Sequence, residues 1–349
     1  MLLFAGSYAE ETENGVELFR FDEESGQLTL LAQYSGLKNP TFLNVNAAQN
    51  SVYAICELVN EDGSKSGAIA HLRYSEEGFK LEKLQLSVAG TTCHIQRDEH
   101  NNYLIVTSYH GGMIGLIKLN QDGSLGELAD VAQHHGTSVD PERQDRPHPH
   151  SSFFSPDGKY LYVQDLGLDK LVIYTLDREQ SKLVKHGEAQ LPAGSGPRHL
   201  VFHPSQPFAY VINELNSTVT AFSYDAATGA LEEIQQISTL PDGYVGENGT
   251  AEVQISADGR FLYGSNRGHD SIVVYAVNEQ GKLTLVQHIS SGGGHPRHFT
   301  LTPSGRHVLV ANRDNNNIVV MKRDAETGQL SATGIEAFST KPVCLIPVQ

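Results

Sequence analysis

Cysteine and basic residues are both scarce in this sequence. Its three cysteines, Cys56, Cys93 and Cys344, form an odd and widely spaced set. Such a set fits a reducing compartment better than a disulfide framework or a cysteine metal site. Lys and Arg number 25 against 41 Asp and Glu, which gives a formal net charge of −16. Nucleic acids and anionic membranes are bound through basic surfaces, so neither is expected as a partner.

Long apolar runs are also missing. No stretch is long enough to span a bilayer as a helix. Residues 1–8 (MLLFAGSY) carry no basic residue and too short an apolar run for a secretory signal, so they are predicted to form a strand. We therefore expect a soluble, cytoplasmic protein.

What the sequence does contain is a repeat. Residues 196–205 read GPRHLVFHPS and are followed by AYVINE, a pattern of strand, tight turn and strand. Similar segments start at seven positions, which are Pro40, Thr92, Pro149, Pro197, Thr250, Pro296 and Pro342. Neighbouring starts are between 46 and 57 residues apart, a period that indicates stacked units sharing one continuous core.

Each unit follows one plan. The first strand ends in a turn such as SPDG at 155–158, where proline fixes φ and glycine tolerates positive φ. A second strand follows, then a third such as KLVIY at 170–174, a glycine-containing polar turn and a fourth strand. No segment has a helical period. Four antiparallel strands repeated seven times predict an all-β fold, a seven-bladed β-propeller that residues 1–349 form as a single domain.

The two ends of the chain are predicted to share one blade. Residues 2–8, 15–21 and 28–34 correspond to the second, third and fourth strands of a unit. Residues 341–346 (KPVCLI) match a first strand with nothing after it. Pairing the two ends would close the ring and remove a free sheet edge.

The repeat also predicts where function lies. In an antiparallel pair, the start of the first strand and the end of the second lie on the same face of the disc. Arg198 and Glu214, Ala251 and Arg267, and Arg297 and Arg313 are each sixteen residues apart, so these side chains should gather at one mouth of the central channel. Two long polar connections, residues 133–148 and 239–249, are expected at the same mouth, and long loops on a rigid scaffold often bind ligands.

Several short motifs resemble a known family. They are HPHS (148–151), SPDG (155–158), GPRH (196–199), NE (213–214), AE (251–252) and SNRGHDSI (265–272). Together they make the whole chain similar to the lactonase family of seven-bladed propellers, which includes propeller-type 6-phosphogluconolactonases and carboxy-cis,cis-muconate cyclases. The resemblance implies a catalytic site of His150, Arg198, Glu214 and Arg267, with Glu252 as a further acid. It also implies hydrolysis of a sugar lactone such as 6-phosphogluconolactone, in the pentose phosphate pathway.

The chemistry of lactone opening agrees with these residue types. Water must be activated by a base, and a cation or donor must stabilise the negative charge that develops on the carbonyl oxygen. We expect His150 or Glu214 to be the base and Arg198 and Arg267 to bind the oxyanion or an anionic group of the substrate. The predicted substrate-binding set consists of Glu252, Arg297, Asn266, Arg313 and His148. No cofactor and no metal are expected, and the predicted partner is a small anionic lactone bound by a monomer or weak homo-oligomer.

The same residues also fit other interpretations. The arginines could pair with Glu214 and Glu252 only to hold neighbouring blades together, and His150 could be a hydrogen-bonded rim residue. Cys93 is expected to be inert. Repeat-related His94, His199 and His298 are expected to pack between blades, whereas a metal could use His134, His135, His148 and His150. The alternative functions are a muconate-type lactone-forming enzyme and a non-catalytic binding platform.

Overall fold

The computed structural model describes residues 1–348, and its regular structure is almost entirely β-strand. Within these residues there is one helix, a single 3₁₀ turn at Ala47–Gln49. Accordingly, no helix in this range has the length and apolar character needed to cross a membrane.

The strands of residues 1–348 follow one another in chain order. The first fourteen are β1 (Leu2–Ser7), β2 (Val16–Phe21), β3 (Leu28–Tyr34), β4 (Leu43–Asn46), β5 (Ser51–Val59), β6 (Lys65–Ser75), β7 (Gly78–Ala89), β8 (His94–Arg97), β9 (Tyr103–Ser108), β10 (Met113–Leu119), β11 (Leu125–Gln133), β12 (Pro149–Phe154), β13 (Leu161–Asp165) and β14 (Lys170–Asp177). The remaining fourteen are β15 (Lys182–Gln190), β16 (Pro197–Phe202), β17 (Phe208–Asn213), β18 (Thr218–Tyr224), β19 (Leu231–Ser238), β20 (Gly249–Ile255), β21 (Phe261–Arg267), β22 (Ser271–Val277), β23 (Leu283–Ser290), β24 (Pro296–Leu301), β25 (His307–Asn312), β26 (Asn317–Arg323), β27 (Leu330–Phe338) and β28 (Pro342–Val348).

These strands form seven four-stranded antiparallel sheets, the blades of a ring. Blade 1 has the order β28-β1-β2-β3, and blades 2 to 7 are β4–β7, β8–β11, β12–β15, β16–β19, β20–β23 and β24–β27. The C-terminal strand pairs with the N-terminal one, with Phe4 opposite Ile346. The predicted seven-bladed propeller closed by both chain ends is therefore confirmed.

Four of the seven predicted first strands begin where the sequence indicates, at Pro149, Pro197, Pro296 and Pro342. The other three begin instead at Leu43, His94 and Gly249. Strands β4 and β8 begin after the predicted positions because the residues before them make only isolated backbone hydrogen bonds with the second strand, not a continuous ladder. Examples are the hydrogen bonds from Ile55 N to Phe42 O (3.1 Å) and from Cys93 N to Thr107 O (2.9 Å).

The core consists of apolar layers between blades. Seven clusters of buried side chains fill the seven junctions between neighbouring blades within residues 1–348. At the junction that closes the ring, Leu3, Phe19 and Leu345 of blade 1 pack against Leu309 and Ile318 of blade 7. Ring closure therefore buries apolar area on both sides of the shared blade, and this burial drives folding.

A repeated tyrosine links consecutive blades. Tyr53, Tyr162, Tyr210 and Tyr263 occupy the second strands of blades 2, 4, 5 and 6 and are fully buried. Each hydroxyl donates to the carbonyl of a turn glycine in the next blade, as in Tyr162 OH to Gly229 O at 2.6 Å. Gly229 has a φ of 73°, where a side chain would be strained. The tyrosine's apolar ring and satisfied hydroxyl thus fix one blade against the next.

Substitution of Leu345 by alanine tests the closure of the ring. Leu345 is 1% exposed between blades 7 and 1, so its truncation is expected to lower the free energy of unfolding by about 2–5 kcal/mol. Leu86 is the matched control, because it is 59% exposed and its replacement by alanine should cost less than about 0.5 kcal/mol. Urea denaturation measures both, and equal effects of the two substitutions would contradict the closed ring.

Candidate active site

The candidate site is built on bulges that recur at one position of the repeat. The pairing of first and second strands skips one residue after Pro149, Pro197 and Pro296, and two residues after Thr250. The unpaired residues are His150, Arg198, Arg297, Ala251 and Glu252. A bulge leaves a residue out of the ladder and re-aims its side chain. The repeat therefore turns successive polar side chains toward the same end of the central channel.

A second set of side chains follows the ends of the second strands. Glu214 comes directly after β17 and Arg267 is the last residue of β21. Tyr8 and Tyr109 likewise come directly after β1 and β9, and Glu57 lies two residues before the end of β5. Because the strands are antiparallel, these residues lie at the same end of the channel as the bulges.

Glu214 is the centre of an arginine cluster. Its Oε2 lies 3.3 Å from Arg198 Nε and 2.8 Å from Arg267 Nη2, and its Oε1 lies 2.7 Å from Arg143 Nη2. Glu214 is 8% exposed and Arg198 is 2% exposed. Three guanidinium groups on one buried carboxylate leave an excess of positive charge, which favours an anionic ligand.

The charges in this cluster strongly affect ionisation. Burial raises the pKa of Glu214, but Arg267, His150, Arg198 and Arg143 outweigh it and hold the pKa well below 4.5. Burial, then Arg297 and Arg267, lower the pKa of Arg198. Glu214 is thus ionised at neutral pH and is a weak proton acceptor in this arrangement.

His150 is held differently from Glu214. It is buried, and its Nδ1 has no hydrogen-bond partner among residues 1–348. Burial first, and then the charge of Arg198, lower its pKa well below 6.5. The imidazole is therefore neutral at pH 7 and has a lone pair available to accept a proton.

Arg143 and Tyr109 belong to the site, although the sequence analysis did not single them out. Arg143 lies on the connection between β11 and β12, inside the predicted long loop, and its Nη2 also donates to the Tyr109 hydroxyl at 3.1 Å. Tyr109 stands sixteen residues after Cys93, the same offset as Glu214 from Arg198. Extending that offset to blade 3 is the signal that would have found Tyr109.

Glu252 lies deeper in the channel, in a buried cluster of imidazole and phenyl rings. Its Oε2 is 2.9 Å from His199 Nδ1 and 3.3 Å from His298 Nε2. Phe42 contacts the rings of His94, His199 and His298 at centroid distances of 4.5, 6.0 and 5.7 Å. Burial raises the pKa of Glu252 to about 8 against the opposing charge of Arg198. The three repeat-related histidines thus contact adjacent blades, as expected, since backbone N–H groups of Ser152 and Leu345 donate to His94 and His298 and His199 bonds Glu252. They also pack across the channel against Phe42.

Three predicted substrate-binding residues lie away from the cluster. Asn266 is fully buried and its side chain bonds Thr239 and Asn248, while the ring of His148 stacks behind Tyr109 with centroids 4.3 Å apart. Arg313 pairs with Asp314 at 2.6 Å and lines a separate depression with Tyr8. Arg297, in contrast, lies close to the cluster and packs over the ring of Tyr8.

Two adjacent cavities open at this end of the channel. The mouth cavity has a volume of about 400 Å³, and the side chains in it that can ionise or accept protons include Glu57, Arg143, His150, Glu214 and Arg297. The rim cavity has a volume of about 590 Å³ and includes Arg267 and several acidic residues. Arg143 and Glu214 line both cavities and form the wall between them. The mouth cavity falls in the size range of small-molecule sites.

Two of the histidines considered for a metal, His134 and His148, have other partners. His134 Nδ1 bonds Asp165 at 2.6 Å and its Nε2 bonds the Tyr174 hydroxyl at 2.9 Å, so it anchors the β11–β12 loop. His148 Nδ1 bonds the carbonyl of Tyr109 at 2.9 Å. Residues 1–348 contain no group of three or more His, Cys, Asp or Glu side chains arranged to hold a metal ion.

Comparison with known proteins places the chain in a family. The family described as "Lactonase, 7-bladed beta-propeller" matches residues 2–347. The 6-phosphogluconolactonase of Bacillus subtilis is 33% identical over 345 residues, which cover 98% of this chain and 97% of that protein. Among solved structures, a protein from Lactobacillus plantarum matches with a TM-score of 0.92 and 32% identity, covering 100% of this chain and 99% of that one. The periplasmic gluconolactonase PpgL of Pseudomonas aeruginosa matches with a TM-score of 0.90 and 31% identity over 99% of both chains. The chain belongs to the family of seven-bladed β-propeller lactonases.

Proposed function

We propose that the protein is a lactone hydrolase that opens 6-phosphogluconolactone to 6-phosphogluconate. The observation that carries this proposal is the mouth cavity, where a neutral histidine, His150, faces two arginines, Arg143 and Arg297. The arrangement supplies both a proton acceptor and cations for developing negative charge, the two requirements of ester hydrolysis. The names of the relatives, 6-phosphogluconolactonase and gluconolactonase, support a sugar lactone as substrate.

In the proposed mechanism, His150 accepts a proton from water as the water oxygen attacks the lactone carbonyl carbon. The carbonyl oxygen becomes an oxyanion, which the guanidinium of Arg297 stabilises at the cavity wall. Collapse of the tetrahedral intermediate breaks the bond between that carbon and the ring oxygen. The protonated His150 then returns its proton to the ring oxygen, which leaves as a hydroxyl group, and the new carboxylic acid ionises.

The buried ions behind the cavity are proposed to orient this machinery. Glu214 holds Arg143, Arg198 and Arg267 in fixed positions, so their charge is already arranged when substrate arrives. Arg198 lines neither cavity, and we assign it a positioning and electrostatic role rather than direct contact with substrate. We assign the role of general base to His150 rather than to Glu214, because both carboxylate oxygens of Glu214 are paired with guanidinium groups, whereas Nδ1 of His150 has no hydrogen-bond partner within residues 1–348.

The cellular setting follows from the substrate. Hydrolysis of 6-phosphogluconolactone places the protein in the pentose phosphate pathway, and we propose a cytoplasmic location. The free thiols of Cys56, Cys93 and Cys344 support a reducing compartment. Cell fractionation tests this point, and recovery of the protein with periplasmic markers would contradict it.

The reaction class is tested by proton NMR of freshly generated 6-phosphogluconolactone in the presence of the purified protein. We expect ring opening to 6-phosphogluconate faster than in buffer alone, and a slower response with lactones that lack an anionic group. A muconate-type enzyme would instead close a lactone from an unsaturated carboxylate. Catalysis of that closure, without hydrolysis of the sugar lactone, would replace the proposed function.

A further inference from the structure

Arg143 is presented by a rigid turn rather than by a mobile lid. Asp140 Oδ1 accepts hydrogen bonds from the backbone N–H groups of Glu142 (2.9 Å) and Arg143 (3.0 Å). Gln144 is fully buried and donates to the carbonyl of Leu166 at 2.9 Å. The turn from Asp140 to Gln144 is therefore fixed to blade 4, and it holds the Arg143 side chain against both cavities.

The guanidinium of Arg143 is held in one orientation, but only one of its three nitrogens donates hydrogen bonds within residues 1–348. Its Nη2 donates to Glu214 Oε1 at 2.7 Å and to the Tyr109 hydroxyl at 3.1 Å. Its Nε and Nη1 have no hydrogen-bond partner within residues 1–348, and the side chain is 44% exposed. A guanidinium carries five N–H donors. The three on Nε and Nη1 thus remain available to a ligand on a group whose direction is already set.

The charges of the two cavities decide on which side an anion binds. The rim cavity is lined by five carboxylates, Asp140, Glu214, Glu247, Asp270 and Asp314, against two arginines. The mouth cavity has two carboxylates, Glu57 and Glu214, against two arginines, Arg143 and Arg297. A phosphate group with two negative charges is therefore repelled by the carboxylates of the rim cavity, whereas the two arginines of the mouth cavity offset its two carboxylates.

We propose that Arg143 determines specificity for a phosphorylated substrate by binding its phosphate group in the mouth cavity through the donors on Nε and Nη1. This inference rests on the proposed function for the nature of the substrate. It assigns separate tasks to the two arginines of the cavity, since Arg297 stabilises the lactone oxyanion and Arg143 recognises the distant anionic group. Glu214 and Tyr109 orient Arg143, and a pre-oriented guanidinium loses less conformational entropy on binding.

Calorimetric titration with 6-phosphogluconate and with gluconate tests the proposal without depending on turnover. The two ligands share a carboxylate and a polyol chain and differ in the phosphate. Arg143→Ala is expected to weaken 6-phosphogluconate about 10- to 100-fold, as loss of charged hydrogen bonds implies, and to weaken gluconate much less. Arg143→Lys keeps the charge without the planar fork and should lie between the wild type and Arg143→Ala.

Arg146 provides the matched control. It lies on the same loop, is 60% exposed and lines neither cavity, and within residues 1–348 its ion pair is with Asp145, at 3.9 Å. Arg146→Ala should leave the affinities for both ligands at the wild-type level, which separates the local role of Arg143 from a general loss of positive charge.

Three results would overturn the proposal. A wild-type protein with no preference for 6-phosphogluconate, an Arg143→Ala variant with unchanged affinity, or equal weakening of both ligands would each contradict recognition of phosphate by Arg143. Failure of the proposed function is distinguishable from these outcomes. In that case the wild-type protein binds 6-phosphogluconate in preference to gluconate but does not hydrolyse the lactone.

Discussion

Replacement of Glu214 by glutamine is expected to lower the free energy of unfolding by about 3–5 kcal/mol, the usual cost of breaking a buried ion pair. The carboxylate neutralises Arg198 and Arg267 inside the protein and Arg143 at the cavity. Glutamine has nearly the same shape but no charge, so the arginines would repel one another in a low-dielectric site. Chemical denaturation of the variant and the wild type measures the difference.

Glu57 is the matched control for this substitution. It lies near the end of β5, the second strand of blade 2, and stands sixteen residues after Thr41, as Glu214 stands sixteen residues after Arg198. It also lines the mouth cavity. Its salt bridge is with a half-exposed partner, Lys65, at 2.9 Å, so Glu57→Gln should cost less than about 1 kcal/mol. Similar stabilities for the two variants would show that Glu214 does not hold the arginine cluster together.

Replacement of His150 by glutamine is expected to reduce kcat for lactone hydrolysis by about 10²- to 10⁴-fold while the fold is retained, because general base catalysis contributes that much. Glutamine fills a similar volume but cannot accept a proton. His110 is the matched control, since it lines the same cavity but is exposed, and His110→Gln should leave kcat close to the wild-type value. A His150→Gln variant with wild-type kcat would exclude His150 as the base.

The pH dependence of the wild-type enzyme provides a second readout on His150. A general base works only in its deprotonated form, so activity is lost as the pH falls through its pKa. Burial and Arg198 lower the pKa of His150 well below 6.5. We therefore expect kcat/KM to remain level from pH 7 to below pH 6.5 and to fall only in more acidic solution. An acidic limb at or above pH 6.5 would mean that His150 is not buried among these charges during catalysis.

The fold could be predicted from the sequence because every blade repeats the same local sequence patterns. Turns such as SPDG at 155–158, the proline at the start of most first strands and the alternation of apolar residues all report on local structure. Ring closure was predictable as well, because the two ends together supply the four strands of one blade. Boundaries at Leu43 and His94 were missed, since the start of a regular ladder depends on tertiary pairing rather than on local sequence.

The candidate site could be predicted only in part. Arg198 and Glu214 were predicted from their sixteen-residue spacing in the repeat, and in the structure Arg198 Nε lies 3.3 Å from Glu214 Oε2. The contact of Arg143 with Glu214 joins residues 71 apart through a loop outside the repeat, so no periodic signal reports it. Asn266 has the expected position in the repeat, but its side chain points into the protein. There its Oδ1 accepts a hydrogen bond from the Thr239 hydroxyl and its Nδ2 donates to the Thr239 carbonyl. Register thus predicts which residues come near the mouth, and local partners decide which of them face a ligand.

We propose that the side chains of the mouth cavity hydrolyse 6-phosphogluconolactone without a metal ion. The most direct test is the rate of hydrolysis of freshly generated lactone, corrected for spontaneous opening, with and without a metal chelator. Turnover well above the spontaneous rate, unchanged by the chelator, is the predicted result. A rate that equals the spontaneous one, or that disappears with the chelator and returns with added metal, would contradict hydrolysis by these side chains alone.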